Sequence, residues 1–508
     1  MNNSRLILAQ MLIGFVLLSA LPASAWATDA ALLEVLRNNK LITEAQYQTL
    51  IKAAEAAPGT GATRIAPADD QDVLDVLLAN NLISQEQFAK LRVKTGLEKK
   101  TDPESKAALK EGIKFKSQDG AFQAQVGAYI HADTAFHSND RTDFSNGTEL
   151  RRGRLSVGGT VFSTWDYKLE ADFAGTTVGG STNTVTVTDA FLRYTGLKPV
   201  TLTAGNFKVP FSLEAVGSAK YMTFMERGLP FAFLNTRRLG GMVAANGDNW
   251  TLSGGWFGDG ITVQNADDEG MQLAARATFA PIFGTARVLH VGLSGGWVQP
   301  QHAAGSKLET ARFRSRPEAN IITDGLVESS LLTDTSGNAF GLSTGRLVDT
   351  GSISGDVSSY TLFGGELAAV LGPLSLQGEY IRADVSRGTA NDAGFDGFYA
   401  YGSWFITGES RAYKADKGVF DMLVPRQPFN LKSGDPGAWE FAVRYSNLDL
   451  NDEDIRGGDL DDLTVGLNWY INQYVRLSAN YVSVLDVSGG AHDNDEPDIY
   501  EMRMQFAY

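Results

Sequence analysis

From residue 113 to the C-terminus the chain alternates apolar and polar side chains. In FQAQVGAYIHAD, Phe122, Ala124, Val126, Ala128, Ile130 and Ala132 are small or apolar, whereas Gln123, Gln125, His131 and Asp133 take intervening positions. Successive side chains of a strand point to opposite faces, so such a segment has one greasy face and one wet face. WEFAVRYS repeats the pattern, with Trp439, Phe441, Val443 and Tyr445 opposing Glu440, Arg444 and Ser446. In LTVGLNWYINQYVRLSANY, Leu463, Val465, Leu467 and Trp469 share a face; after a turn near Asn472, so do Val475, Leu477, Ala479 and Tyr481. Two amphipathic strands around a tight turn read as a hairpin.

A soluble sandwich alternates in the same way, and the connections separate it from a membrane barrel. Short links near 163–166, 196–199, 247–249, 281–286, 371–373 and 471–473 alternate with long ones near 137–149, 209–240, 300–357, 449–462 and 486–498. Short turns at one end and long loops at the other are the pattern of an outer-membrane barrel, here all-β, antiparallel and of about sixteen strands. Segment 409–437 breaks the rule, since a short periplasmic turn is expected there. The chain ends YEMRMQFAY, with Tyr500, Met502, Met504, Phe506 and Tyr508 on one face and Glu501, Arg503 and Gln505 on the other. An aromatic last residue on a closing strand resembles the terminal strand of bacterial outer-membrane proteins.

Before residue 112 the period is helical. LEVLRNNKLITEAQYQTL (33–50) and LDVLLANNLISQEQFAKL (74–91) are two copies of one helical hairpin, offset by 41 residues. In each, Thr43 or Ser84 opens the second helix with Gln46 or Gln87 three residues on, a capping box. Between them, APGTGATRIAPADD has linker composition. The first 27 residues carry one Arg, an apolar run over 6–21 and small residues at Ala25 and Ala27, the order of a cleaved secretory signal. The expected organisation is a signal peptide at 1–27, periplasmic helical hairpins and linker at 28–111, and a transmembrane barrel at 112–508. After the signal, no apolar run reaches the roughly 18 residues of a helical span.

Composition agrees with a large β-rich domain: 54 glycines, 15 prolines, 10% aromatic residues and no cysteine. The formal charge is −15, and much of the acid falls in NLDLNDEDIRGGDLDD (447–462) and HDNDEPD (492–498). These runs read as solvated loop tips, or as carboxylates that hold divalent cations among surface lipopolysaccharide. Nucleic acid is not an expected partner, because an exported chain meets none and the hairpins lack a dense basic face. The five histidines are dispersed without ligand spacing and no nucleophile-elbow motif occurs, so neither a metal, a cofactor nor an enzyme activity is expected.

Against this acidic background, loop 209–240 is basic and apolar. It carries Lys220, Arg227, Arg237 and Arg238, with Lys208 at its edge, against Glu214 and Glu226. Phe211, Tyr221, Phe224, Phe231 and Phe233 need burial, so the loop is expected to fold into the lumen and narrow it. In LRRGRLSVGGTVF, Leu155, Val157 and Val161 face lipid by parity, which turns Arg152 and Arg154 inward. Rings of Arg and Lys favour anions by replacing hydration with charge-assisted hydrogen bonds. Within a Debye length of about 8 Å, such charges outweigh acids on distant loops.

TDAFLRYTGLKPVTLTAGNFKVPFSLEAVGSAKYMTFMERG (188–228), together with ELRRGRLSVGGT (149–160), resembles the family of phosphate- and polyphosphate-selective porins O and P. KYMTFMER is the most specific part, and the resemblance extends over 113–508. It implies a sixteen-stranded homotrimer in the outer membrane passing phosphate, pyrophosphate or related small anions. It also implies anion contacts at Ser218, Arg227, Asp189 and the arginines near Arg152. Ala219 stands where the family has a second serine, and Ala215 where strongly phosphate-selective members carry a lysine. A general small-solute porin, or a barrel serving as adhesin without a channel, stays open beside the anion channel. Because the hairpins show no pore-lining pattern, deleting residues 28–110 should leave single-channel conductance unchanged in planar bilayers. Altered selectivity in that variant would contradict the division of labour.

Overall fold

The computed structural model describes Glu44 and residues 113–117, 121–174, 185–261, 269–300, 311–321 and 345–508. The signal at 1–27 and, Glu44 apart, the hairpins at 33–50 and 74–91 lie outside the described residues. In chain order the strands are β1 (Ile113–Lys116), β2 (Gln123–Ser138), β3 (Gly147–Val161), β4 (Trp165–Asp172), β5 (Thr186–Leu197), β6 (Val200–Lys208), β7 (Arg237–Asn246), β8 (Trp250–Phe257), β9 (Met271–Ile282) and β10 (Arg287–Gln299). There follow β11 (Arg314–Ser315), β12 (Val348–Asp349), β13 (Val357–Leu371), β14 (Leu374–Arg387), β15 (Ala393–Phe405), β16 (Tyr413–Lys414), β17 (Val419–Phe420), β18 (Ala438–Asp452), β19 (Ile455–Tyr470), β20 (Val475–Ser488) and β21 (Asp498–Ala507).

Sixteen of these form the barrel, each antiparallel to the next, and β21 closes on β2 from Ser138↔Asp498 to Tyr129↔Ala507. Below that seam β1 pairs with the start of β2, from Ile113↔Val126 to Lys116↔Gln123. The wall is inside out relative to a soluble protein. Phe441 on β18, Leu467 on β19 and Met502 on β21 are exposed on the outside, whereas Glu440, Arg444, Asn468, Arg503 and Gln505 are buried within. Backbone groups pair around a closed ring, which is what allows strands to cross hydrocarbon.

The short turns fall where the sequence places them. At 162–164, Phe162 and Ser163 have φ of 51° and 60°, the left-handed twist that suits a tight hairpin. Region 449–462 is a correction: β18 and β19 pair up to Asp452↔Ile455, leaving a turn of two residues where a long loop is expected. The reason is that polarity reverses above the membrane band. Leu448, Leu450, Ile455 and Leu460 point inward and join Leu347, Val348, Ile353 and Val357 in one core. Tyr445, on the outer face, donates to Asp461 at 2.7 Å. Two further long connections, 173–185 and 258–270, are absent from the sequence reading; the first includes Thr- and Val-rich sequence that also suits a strand.

The connection 406–437 is long, and it enters the barrel from the end that carries the short turns. Tyr413 on β16 bonds His290 Nδ1 at 2.5 Å, and the Gly418 carbonyl accepts from Arg276 at 2.9 Å. Phe420 on β17 packs with Val288, Ala368, Val370 and Leu213. Leu213 belongs to loop 209–236, so this segment meets that loop inside the barrel.

Val157 lies on the outer face of β3, opposite Val126 and Leu169. Replacing it with Arg should impair folding into liposomes, at about 2–4 kcal/mol if it lies near the bilayer midplane. Undiminished yield of the heat-modifiable folded band would contradict the register.

Candidate functional site

Loop 209–236 spans the lumen as three short helical turns joined by extended chain. Ser212 Oγ accepts from Ala215 N to start the turn Leu213–Val216, Ser218 Oγ accepts from Lys220 N to start Ala219–Tyr221, and Pro230 lies at the start of Leu229–Phe233. Phe211, Phe224, Met225, Leu229 and Phe233 are buried, which accounts for their presence in a loop. Phe224 meets Tyr401 edge-on at 5.3 Å, and Phe233 meets Phe313 at 5.2 Å.

The opposite wall supplies donors to the loop backbone. Arg476 donates to the Met222 carbonyl at 2.7 Å, Asn468 to Thr223 at 2.7 Å, and Arg444 to Glu226 at 3.1 Å; Arg503 donates to Met225. At the loop's start, the Glu379 carboxylate accepts from the backbone N–H of Leu213 and Glu214 at 2.8 and 2.9 Å. An extended backbone buried in a lumen needs such partners, because unpaired amides are costly there.

The strongest fastening is at Glu226. Arg151 donates to both carboxylate oxygens at 2.9 and 3.0 Å, Arg503 donates at 2.8 Å, and Arg152 approaches each oxygen at 3.4 Å. Arg503 also forks onto Asp133 at 2.7 and 2.6 Å. Burial pushes the Glu226 carboxyl up, but Arg151, Arg152 and Arg503 outweigh it and hold the group well below the usual carboxylate range.

A second network holds the loop's flanks. Asp189 bridges Lys168 and Arg237, each at 2.6 Å, and Arg154 pairs with Asp172 at 2.6 Å and Glu170 at 3.2 Å. Thus Arg152, Arg154, Asp189 and Arg237 face the lumen as expected, but each is held by opposite charge. Lys208 donates to the Val216 carbonyl at 2.9 Å and to Gly217, so it ties the loop back. Ser218 caps a turn, and Arg238 pairs with Asp259 at 2.7 Å.

Lys220 and Arg227 differ from the paired arginines: like Lys208, neither has an ion pair within 4 Å among the described residues. The Lys220 ammonium lies 5.5 Å from the Tyr129 ring centroid and 5.4 Å from that of Tyr221, and burial, reinforced by Lys168, pulls its pKa down from the ordinary value. Arg227 uses Nε on the Glu214 carbonyl at 3.1 Å and stacks over Phe231 at 4.6 Å. Both side chains remain partly accessible.

Arg151, Lys168, Arg444, Arg476 and Arg503 are absent from the pore residues that sequence singles out, although alternation already puts Arg444 and Arg503 on the wet faces of their strands. Strand parity alone would have found Arg444, Arg476 and Arg503. Arg151 has no such signal: His131 faces Arg152 while Ala132 faces Leu150, so Arg151 is the extra residue of a bulge that re-aims its side chain. Among the described residues, no three His, Asp or Glu side chains are grouped to hold a metal.

A protein-family model described as phosphate-selective porin O and P matches residues 124–508. The chain is 27% identical over 424 residues to Porin O of Pseudomonas aeruginosa, covering 78% of this chain and 91% of that protein. It is 28% identical over 388 residues to an uncharacterised protein of Caulobacter vibrioides, covering 74% and 70% respectively. Among solved structures, the outer-membrane expressed OmpT of Vibrio cholerae is similar at TM-score 0.47 and 14% identity, over 78% of this chain and 99% of that one. The anion-selective porin from Comamonas acidovorans is similar at TM-score 0.46 and 10% identity, over 76% and 99%. The family match spans the barrel, and the chain therefore belongs to the phosphate-selective porin O and P family of outer-membrane porins.

Proposed function

We propose that this porin is a water-filled channel selective for small anions of the phosphate class, with Lys220 and Arg227 as the cations that a permeating ion meets on the lumenal loop. The observation that carries the reading is that both side chains stay partly accessible and, among the described residues, form no ion pair, whereas Arg152, Arg154 and Arg237 are paired with carboxylates and Lys208 spends its ammonium on two loop carbonyls. An anion 4 Å from one such charge gains about 1 kcal/mol in bulk water and about 4 kcal/mol at an effective dielectric of about 20. A cation is repelled by the same amount. Membership of the phosphate-selective porin O and P family supports the phosphate class; Ala215 and Ala219, both buried and apolar, stand where the resemblance implies polar side chains and favour a broader range of anions.

The same reading includes a homotrimer in the outer membrane, with lipid and lipopolysaccharide around it and residues 28–111 in the periplasm. In support of the trimer, β4, β6, β7 and β8 have only 8, 9, 10 and 8 residues, against 15, 16 and 14 for β18, β19 and β20. A tilted strand needs about 9–11 residues to span hydrocarbon; β4 and β8 fall short of that and β6 and β7 only just reach it, so this low wall suits contact with neighbouring barrels better than lipid.

Reversal potentials in a potassium chloride gradient should show anion preference, and added phosphate should reduce the chloride current. Arg227→Glu should lower or invert that preference, while Asp454→Lys, at an exposed turn tip, should leave it almost unchanged. Full anion preference in Arg227→Glu would remove the assignment of this residue, and wild-type current indifferent to phosphate would remove the phosphate class.

A further inference from the structure

Strand register places Leu150, Ala132, Met504, Leu477, Trp469 and Trp439 in one row across β3, β2, β21, β20, β19 and β18. These side chains have the outward parity of their strands, and they line an open groove of about 740 Å³. Its floor is low where Ala132 and Ala479 stand beside Met502, Met504 and Leu477. Trp439 and Trp469 lie at the short-turn ends of β18 and β19, whereas Leu150 lies near the long-loop end of β3. The row therefore climbs the wall from the periplasmic rim, as strand tilt in a closed barrel requires.

At the rim the groove ends on an aromatic platform. Trp439 and Trp469 stack at 5.2 Å, Phe429 stands edge-on to Trp469 at 5.0 Å, and both indole N–H groups donate to the Pro436 carbonyl, at 3.2 and 2.9 Å. Phe429 and Pro436 belong to the outer part of segment 406–437, which turns back through an Asn430↔Asp435 bridge. On that turn Leu431 is 86% exposed, and Lys432 beside it is exposed too. Burying such a leucine is favourable, and water does not supply that burial.

We propose that this groove and turn bind one phospholipid of the periplasmic leaflet. An acyl chain lies over Ala132 and Ala479, Leu431 and the indoles sit at the headgroup boundary, and the Lys432 ammonium meets the lipid phosphate. The groove lies outside the low wall of β4, β6, β7 and β8, on the apolar outer face that a transmembrane barrel turns to lipid. Tryptophan pairs with polar N–H groups satisfied and apolar faces exposed are suited to that depth. Because segment 406–437 also carries Tyr413 and Phe420 into the lumen, the lipid holds the outer end of an element whose inner end packs on Leu213.

Native mass spectrometry of the detergent-solubilised full chain, titrated with phosphatidylglycerol, tests this. The wild type should retain one lipid per chain after detergent washing, and Ala132→Phe with Ala479→Phe should bind about tenfold more weakly. Heat-modifiable migration checks that the variant is folded. Lys432→Glu, which leaves the wall untouched, should lose preference for phosphatidylglycerol over phosphatidylcholine. Undiminished lipid retention in the folded double variant overturns the proposal. So does an unchanged lipid preference in Lys432→Glu, or a double variant that separates copies of the chain without losing lipid, which would make the groove a contact between copies.

Discussion

One carboxylate, Glu226, fixes the interior of this porin. Three guanidinium groups from the barrel wall converge on it: Arg151 and Arg152 from β3, and Arg503 from β21. Taking one anion and three cations out of water is expensive, and a buried cluster of this kind is tolerated only when its hydrogen bonds are nearly all made. Asp133 and His131 supply the remaining contacts, with His131 3.3 Å from Arg152. Removing the carboxylate would leave mutually repelling arginines, so the loop and the seam strands β2, β3 and β21 depend on one another. Arg227 follows Glu226 in the chain, so the clamp sets where it stands.

The lumen then reads as a neutral framework carrying a few unneutralised charges. Glu170, Lys168, Asp189 and Arg237 alternate in sign along the flank of the loop, and Arg276 pairs with Glu366 at 2.7 Å where segment 406–437 enters. Such pairs position backbone and restrict solute size; they add little net field. Above the bilayer the barrel takes on a soluble protein's polarity, with an apolar core inside and acids outside. The acid run 447–462 is thus mostly strand, with Asp449, Asp459 and Asp461 on the outer face and Asp462 buried inside.

What sequence could show was local. Period-two alternation is a property of neighbouring residues, and it located the outer faces of β2, β18, β19, β20 and β21, as well as the inward face of Arg152 and Arg154. The inward loop was also legible, since Phe211, Phe224 and Phe233 have no reason to be in a solvated loop. Three things were not. The bulge at Arg151 depends on how β3 registers against β2. Inversion of polarity at Leu448 and Leu450 mimics a loop when a membrane pattern is assumed. The pairing of Glu226 with Arg503 joins residues 277 apart, and no spacing rule reaches that far. For the same reason the candidate cations looked alike in sequence, although structure divides them into those paired with a carboxylate and those, Lys208, Lys220 and Arg227, that among the described residues are not.

The Glu226 clamp holds loop 209–236 across the channel, and the pore's shape depends on it. Glu226→Gln keeps the shape of the side chain and removes the charge that the three arginines share. Single-channel recording of that variant, after confirming that it folds, is the most direct measurement. Higher conductance and greater open-state noise than the wild type, with anion preference retained, are predicted, because the loop is released while the lumenal cations remain. Conductance and noise equal to those of the wild type would contradict the clamp.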